Sequence, residues 1–124
     1  MSDHEQGSQA WLMARVGKLT GCRIADATRL SKNGKDRLKS VGDVMVDLIT
    51  ERLTGQPLDH IITKDMQWGT DTEPEARDAY AFVRGVSVQR VGFVPHPTIQ
   101  MAGCSPDGLV GDVGMIEIKC PKTR

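Results

Sequence analysis

The sequence has no excess charge of either sign: sixteen Lys and Arg residues balance sixteen Asp and Glu residues over 124 positions. This excludes a uniformly basic coat for nucleic acid, but it allows a local basic groove beside an acidic site. No apolar run approaches the roughly 20 residues that span a membrane. The opening residues, MSDHEQGS, are polar and lack a signal-peptide pattern. Cysteines are few, odd in number and far apart (Cys22, Cys104 and Cys120), with no CxxC spacing. That pattern predicts reduced thiols in a cytoplasmic protein rather than a disulfide framework. His4, His60 and His96 lack zinc-ligand spacing and are expected on the surface or in loops. There is no internal repeat, low-complexity tract or linker.

The 39% hydrophobic and 26% charged residues fit one small soluble domain with a modest core. Its first part reads as helices and its last part as strands. Residues 9–16 (QAWLMARV) form a short apolar helix with Trp11 and Met13 as core anchors. Thr20 stands at an N-cap before CRIADATRL. Leu38, Val41, Val44, Met45, Leu48, Ile49 and Leu53 recur at three- and four-residue spacing, the strongest helical period in the chain. Gly55 and Pro57 end that helix. A further helix covers residues 64–84, where Gly69 and Pro74 predict a kink or break. VSVQRVGFV, TIQMAGC, DGLVG and MIEIK follow, short and rich in β-branched residues. Residues 111–114 (GDVG) read as the turn of a hairpin between the last two. The expected fold is therefore α+β, with N-terminal helices packed on a small mixed sheet. A strand with nothing after it but CPKTR leaves an open edge, so a fragment of a longer domain, or one completed by a partner, is expected.

The chemistry-bearing stretch is Ser105-Pro106-Asp107-Gly108 followed by Met115-Ile116-Glu117-Ile118-Lys119. Side chains alternate along a strand, so Glu117 and Lys119 share one face while Ile116 and Ile118 point to the other. The hairpin can bring Asp107 beside Glu117. Two carboxylates and the main-chain carbonyl of Ile118 offer hard oxygen ligands for Mg²⁺ or Mn²⁺. Lys119 can then sit near an attacking water and a phosphate, a set suited to phosphodiester hydrolysis. The alternative is an exposed acidic and basic pair on a half-buried surface hairpin. No Ser-His or Cys-His arrangement competes.

These residues resemble the PD-(D/E)xK nuclease superfamily, with its restriction-endonuclease-like core. The wider chain is similar to the lambda exonuclease and YqaJ viral recombinase branch through EQGSQAWLMARVGKLTG, MQWGTDTEPEARDAY and GCSPDGLVGDVGMIEIKCP, which occur in that order and span nearly the whole chain. The resemblance implies that Glu73, in GTDTE, joins Asp107 and Glu117 at the metal; by itself it reads as a solvated helix residue. It implies that Arg15, in WLMARVG, binds a terminal 5′-phosphate, where bidentate contacts suit arginine. Ser105 is implied as a phosphate-pocket hydroxyl. The plain alternatives are a surface arginine and a turn serine. Cys22 stands where the family has a second pocket serine, and a thiol is a poorer donor. Later family segments, including a downstream glutamine, are absent from this sequence.

The resemblance thus implies an exonuclease that digests one strand of duplex DNA from a 5′ end, works with a single-strand annealing partner and assembles as a ring. An endonuclease on the same core and a non-catalytic DNA-binding or assembly fragment are the rival readings. Trp11 and Trp68 are expected in the core, with base stacking as the alternative. The basic run Lys32, Lys35, Arg37 and Lys39 is either a solvated loop or a phosphate contact.

Overall fold

The computed structural model describes residues 4–59 and 61–122, so the expectation for His60 lies outside the described residues. Along the chain the elements are α1 (Gln9–Arg15), β1 (Leu19–Thr20), α2 (Gly21–Thr28), α3 (Lys39–Thr54), α4 (Lys64–Arg84), β2 (Val88–Gln89), β3 (Val94–Pro95), β4 (Ala102–Cys104), β5 (Gly108–Val110) and β6 (Gly114–Ile116). They fall into two compact units. One comprises the described residues of Met1–Leu58 with Gly92–Ser105, the other those of Asp59–Val91 with Pro106–Arg124. The architecture is α+β, but the strands form two three-stranded sheets rather than one.

In the first unit the sheet order is β1-β4-β3. β1 runs parallel to β4, and β3 antiparallel to it. At two residues, β1 is too short to give any periodic signal; only its pairing with β4 makes it a strand. Phe93, 3% exposed, is the most buried hydrophobic side chain described. Its ring occupies the space that a Cβ at Gly103 would need, which is why the central strand carries glycine there. Helix α1 is capped by Ser8, whose side chain accepts the Trp11 N–H at 3.2 Å. Thr20 sits at the N-cap of α2, but its hydroxyl meets the Cys22 sulfur at 3.1 Å instead of capping. Helix α3 ends at Gly55 with φ 65°, as its stop signal predicts. Its apolar stripe is only partly covered: Val44 is buried, while Met45, Ile49 and Leu53 are exposed. The eight residues of α2 extend about 12 Å against about 24 Å for the sixteen of α3, so α2 covers part of the stripe. Met13, expected as a core anchor, is 41% exposed. Of the basic run, Lys32, Lys35 and Arg37 lie on an exposed loop closed by a Leu30–Arg37 bridge, and Lys39 opens α3.

In the second unit α4 is continuous through Gly69 and Pro74, so the predicted break is absent. Pro74 removes the hydrogen bond to the Thr70 carbonyl, but Thr70 is exposed and water can serve that carbonyl. Thr63 caps the helix by accepting the Met66 N–H at 3.2 Å. The sheet is antiparallel in the order β2-β5-β6. β5 and β6 form the predicted hairpin, turning at Gly111 with φ 59°. Two expectations need correction. The segment 86–94 is not one strand: its residues divide between β2 and β3, one in each unit. β6 also ends at Ile116, before the Glu-x-Lys motif, although the alternation of exposed and half-buried residues continues through Lys119. No described helix is long and apolar enough to cross a membrane.

Candidate active site

The hairpin turns the chain so that the residue before β5 meets those after β6. Asp107 Oδ2 accepts the backbone N–H of Ile118 at 2.5 Å, which locks the carboxylate beside the extension of β6. Beyond that contact, Glu117 and Lys119 point the same way, as strand alternation predicts, and the Lys119 ammonium donates to Glu117 Oε1. Glu73, from the middle of α4, joins them: Glu73, Asp107, Glu117, Ile118 and Lys119 all line one open cleft of about 990 Å³. That is room for a nucleotide-sized group.

Arg77 organises this centre, and the sequence reading had no role for it. It lies one turn beyond Glu73 on the same face of α4, is 7% exposed, and donates to Glu73 Oε1. Its Nε donates to the Asp107 main-chain carbonyl at 3.0 Å. One guanidinium thus ties helix to hairpin. The Glu-x-x-x-Arg spacing is an i,i+4 pair legible in the sequence, but nothing in that spacing signals its burial.

The electrostatics follow from crowding. Burial pushes the Glu73 carboxyl above its usual range; the charges of Asp107 and Glu117 push the same way, against the pull of Arg77 and Arg90. The Lys119 amine is raised, first by its hydrogen bond to Glu117 and then, against the effect of burial, by the charges of Glu117, Asp107 and Glu73. It remains an ammonium at neutral pH. Among the described residues no three His, Cys, Asp or Glu side chains converge as a metal-holding group. The three carboxylates are tied instead to Arg77, the Ile118 N–H and Lys119. Their chemistry nonetheless suits a divalent cation: every donor is a hard oxygen, and their mutual repulsion is what a cation relieves.

The phosphate-pocket candidates lie in the first unit. Arg15 Nη2 reaches the Cys22 sulfur at 3.4 Å, and its guanidinium lies 4.0 Å from the centre of the Trp11 ring. The Trp11 indole N–H donates to Ser105 Oγ at 3.0 Å. Trp11 therefore touches both Arg15 and Ser105. It is half-buried, so the predicted core tryptophan is also a scaffold for polar groups. Trp68, predicted in the core, is 44% exposed. The three cysteines are free thiols.

The YqaJ-like viral recombinase domain family matches residues 10–124. The chain belongs to that family. Among solved structures, this YqaJ-like chain is 46% identical to an alkaline exonuclease, LHK-Exo, from Laribacter hongkongensis, with a TM-score of 0.80 over 94% of this chain and 55% of that one. It is 45% identical to LHK-Exo in complex with dAMP, with a TM-score of 0.79 over 92% and 54%. The YqaJ-like chain thus spans about half the length of these relatives. No curated protein sequence matches it.

Proposed function

We propose that this chain carries the hydrolytic centre of a DNA exonuclease that acts in recombination, requires Mg²⁺ or Mn²⁺, and removes nucleotides from a duplex 5′ end. The observation that carries the reading is the Asp107–Ile118 hydrogen bond, which gathers Asp107, Glu117 and Lys119 into the cleft that Glu73 also lines. Membership in the YqaJ-like family and the likeness to an alkaline exonuclease support it.

Glu73, Asp107, Glu117 and the Ile118 carbonyl would hold the ion, which when bound neutralises phosphate charge and acidifies a water. The chain's own groups do the rest. Arg77 holds Glu73 and the Asp107 backbone in register. The Ile118 N–H fixes the Asp107 carboxylate. The Lys119 ammonium orients the attacking water and offsets charge developing on the phosphate. Arg15 and Ser105 receive the terminal phosphate, with Cys22 as a weak third contact. A single-strand annealing protein taking the exposed 3′ strand, and a ring of subunits around the duplex, complete the reading.

The test is release of labelled nucleotides from a linear duplex in Mg²⁺, beside a covalently closed circle. Release from the linear DNA, abolished by Asp107→Ala and by chelation, is the expected result. Equal release by Asp107→Ala would remove the reading. Cutting of the closed circle would replace it with an endonuclease.

A further inference from the structure

The same cleft carries an aromatic wall that hydrolysis does not use. Trp68 lies on the second turn of α4 and lines the cleft with the acidic centre, leaving 44% of its surface in solvent. Met66, which also lines the cleft, is 54% exposed. Gly69, also in the lining, offers no side chain, and a Cβ there would meet nothing within 4 Å, so the wall is open at that position. Large apolar surfaces exposed inside a polar cleft mark a ligand contact. Two ammonium groups complete the lining: Lys119, and Lys122 in an ion pair with Asp65 at 2.8 Å.

An indole face and a thioether beside carboxylates and ammonium groups match the two halves of one nucleotide. The flat apolar base needs a π surface, and the phosphodiester needs cations. We infer that Trp68 stacks on a nucleobase of the strand whose phosphate lies at the Glu73–Asp107–Glu117 centre. Stacking on an indole has no sequence preference, because every base presents a π face. The contact would therefore position DNA of any sequence. The inference rests on the nuclease reading for its substrate, but its test does not depend on hydrolysis.

The chain has two tryptophans, Trp11 and Trp68, so each can be made the sole emitter. Trp11→Phe is titrated in EDTA with a single-stranded oligonucleotide, then with the matching abasic sugar–phosphate chain. The base-bearing strand should quench Trp68 emission, and the abasic chain should not. Trp68→Phe, which leaves only Trp11, should lose the quenching yet keep most of the affinity. Trp68→Ala should weaken oligonucleotide binding about five- to a hundredfold. Equal quenching by the abasic chain, no quenching in Trp11→Phe or in the wild type, or unchanged affinity in Trp68→Ala would overturn the inference. Because EDTA silences hydrolysis, failure here leaves the nuclease reading standing, and loss of nuclease activity in Asp107→Ala leaves this contact standing.

Discussion

Glu51 Oε2 accepts the backbone N–H of Gly17 at 2.8 Å, binding the last turn of α3 to the loop between α1 and β1. Its other oxygen takes Arg23 Nη2 at 2.9 Å. The next residue, Arg52, donates from Nε to the Gly17 carbonyl at 2.8 Å. Two consecutive side chains of α3 thus hold both backbone groups of one glycine, two residues beyond Arg15 of the phosphate pocket. Glu51 is 4% exposed, so its half of the clamp is shielded from water, while Arg52 is exposed.

The clamp should make stability fall in acid. Burial pushes the Glu51 carboxyl up, but the hydrogen bond from Arg23, the Gly17 N–H and the Arg23 charge outweigh it, and the group lies below its ordinary 4.5. A carboxyl lowered on folding stabilises above its unfolded value and loses that contribution as pH falls through its folded value. Denaturant unfolding at pH 7 and at successive steps below 4.5 should show this loss in wild type and a smaller one in Glu51→Gln. At pH 7 the variant should be less stable by about 1–3 kcal/mol. Parallel acid profiles for the two proteins would remove the assignment.

Gly17→Ala should destabilise by about 1–3 kcal/mol. Gly17 has φ 66°, and a Cβ there would run into the Arg52 side chain. Arg52→Ala removes the collision but not the backbone strain, so in thermal unfolding Gly17→Ala should cost less in the Arg52→Ala background than in wild type, but still destabilise.

Arg77→Ala should cost about 1–3 kcal/mol of stability, since it strands Glu73 and the Asp107 carbonyl without their donor. Hydrolysis should fall at least tenfold through loosened geometry. Arg77→Lys keeps the charge but cannot donate to both partners in the same fork. It should therefore recover stability more than turnover, as read by calorimetric unfolding beside nucleotide release.

Trp11→Phe keeps the ring under Arg15 but loses the hydrogen bond to Ser105, while Trp11→Leu loses both. The preference for a 5′-phosphorylated over a 5′-hydroxyl duplex should fall in that order. Equal preference across wild type and both variants would place the phosphate elsewhere.

Cys22→Ser exchanges a weak donor for a strong one beside Arg15. The same rate ratio should rise several-fold. A ratio unchanged or lowered would show that position 22 does not face the phosphate.

The sequence by itself determined the helices, the hairpin and the shared face of Glu117 and Lys119, because each is a short-range pattern. The three- and four-residue spacing over residues 38–53 gave α3 and its stop at Gly55. The alternation in MIEIK put Glu117 and Lys119 on one side, where the structure places them, even though the strand ends before them. Tertiary structure alone decided what depends on distant neighbours. β1 exists only through its pairing with β4, the segment 86–94 was divided between two sheets, and Pro74 was carried inside an intact helix with its freed carbonyl exposed. The burial of Arg77, the double contact of Trp11 with Arg15 and Ser105, and the exposure of Trp68 belong to the same class. Periodicity reports which way a side chain points from its own backbone. What waits there, whether another chain segment or water, is set by packing between residues far apart in sequence.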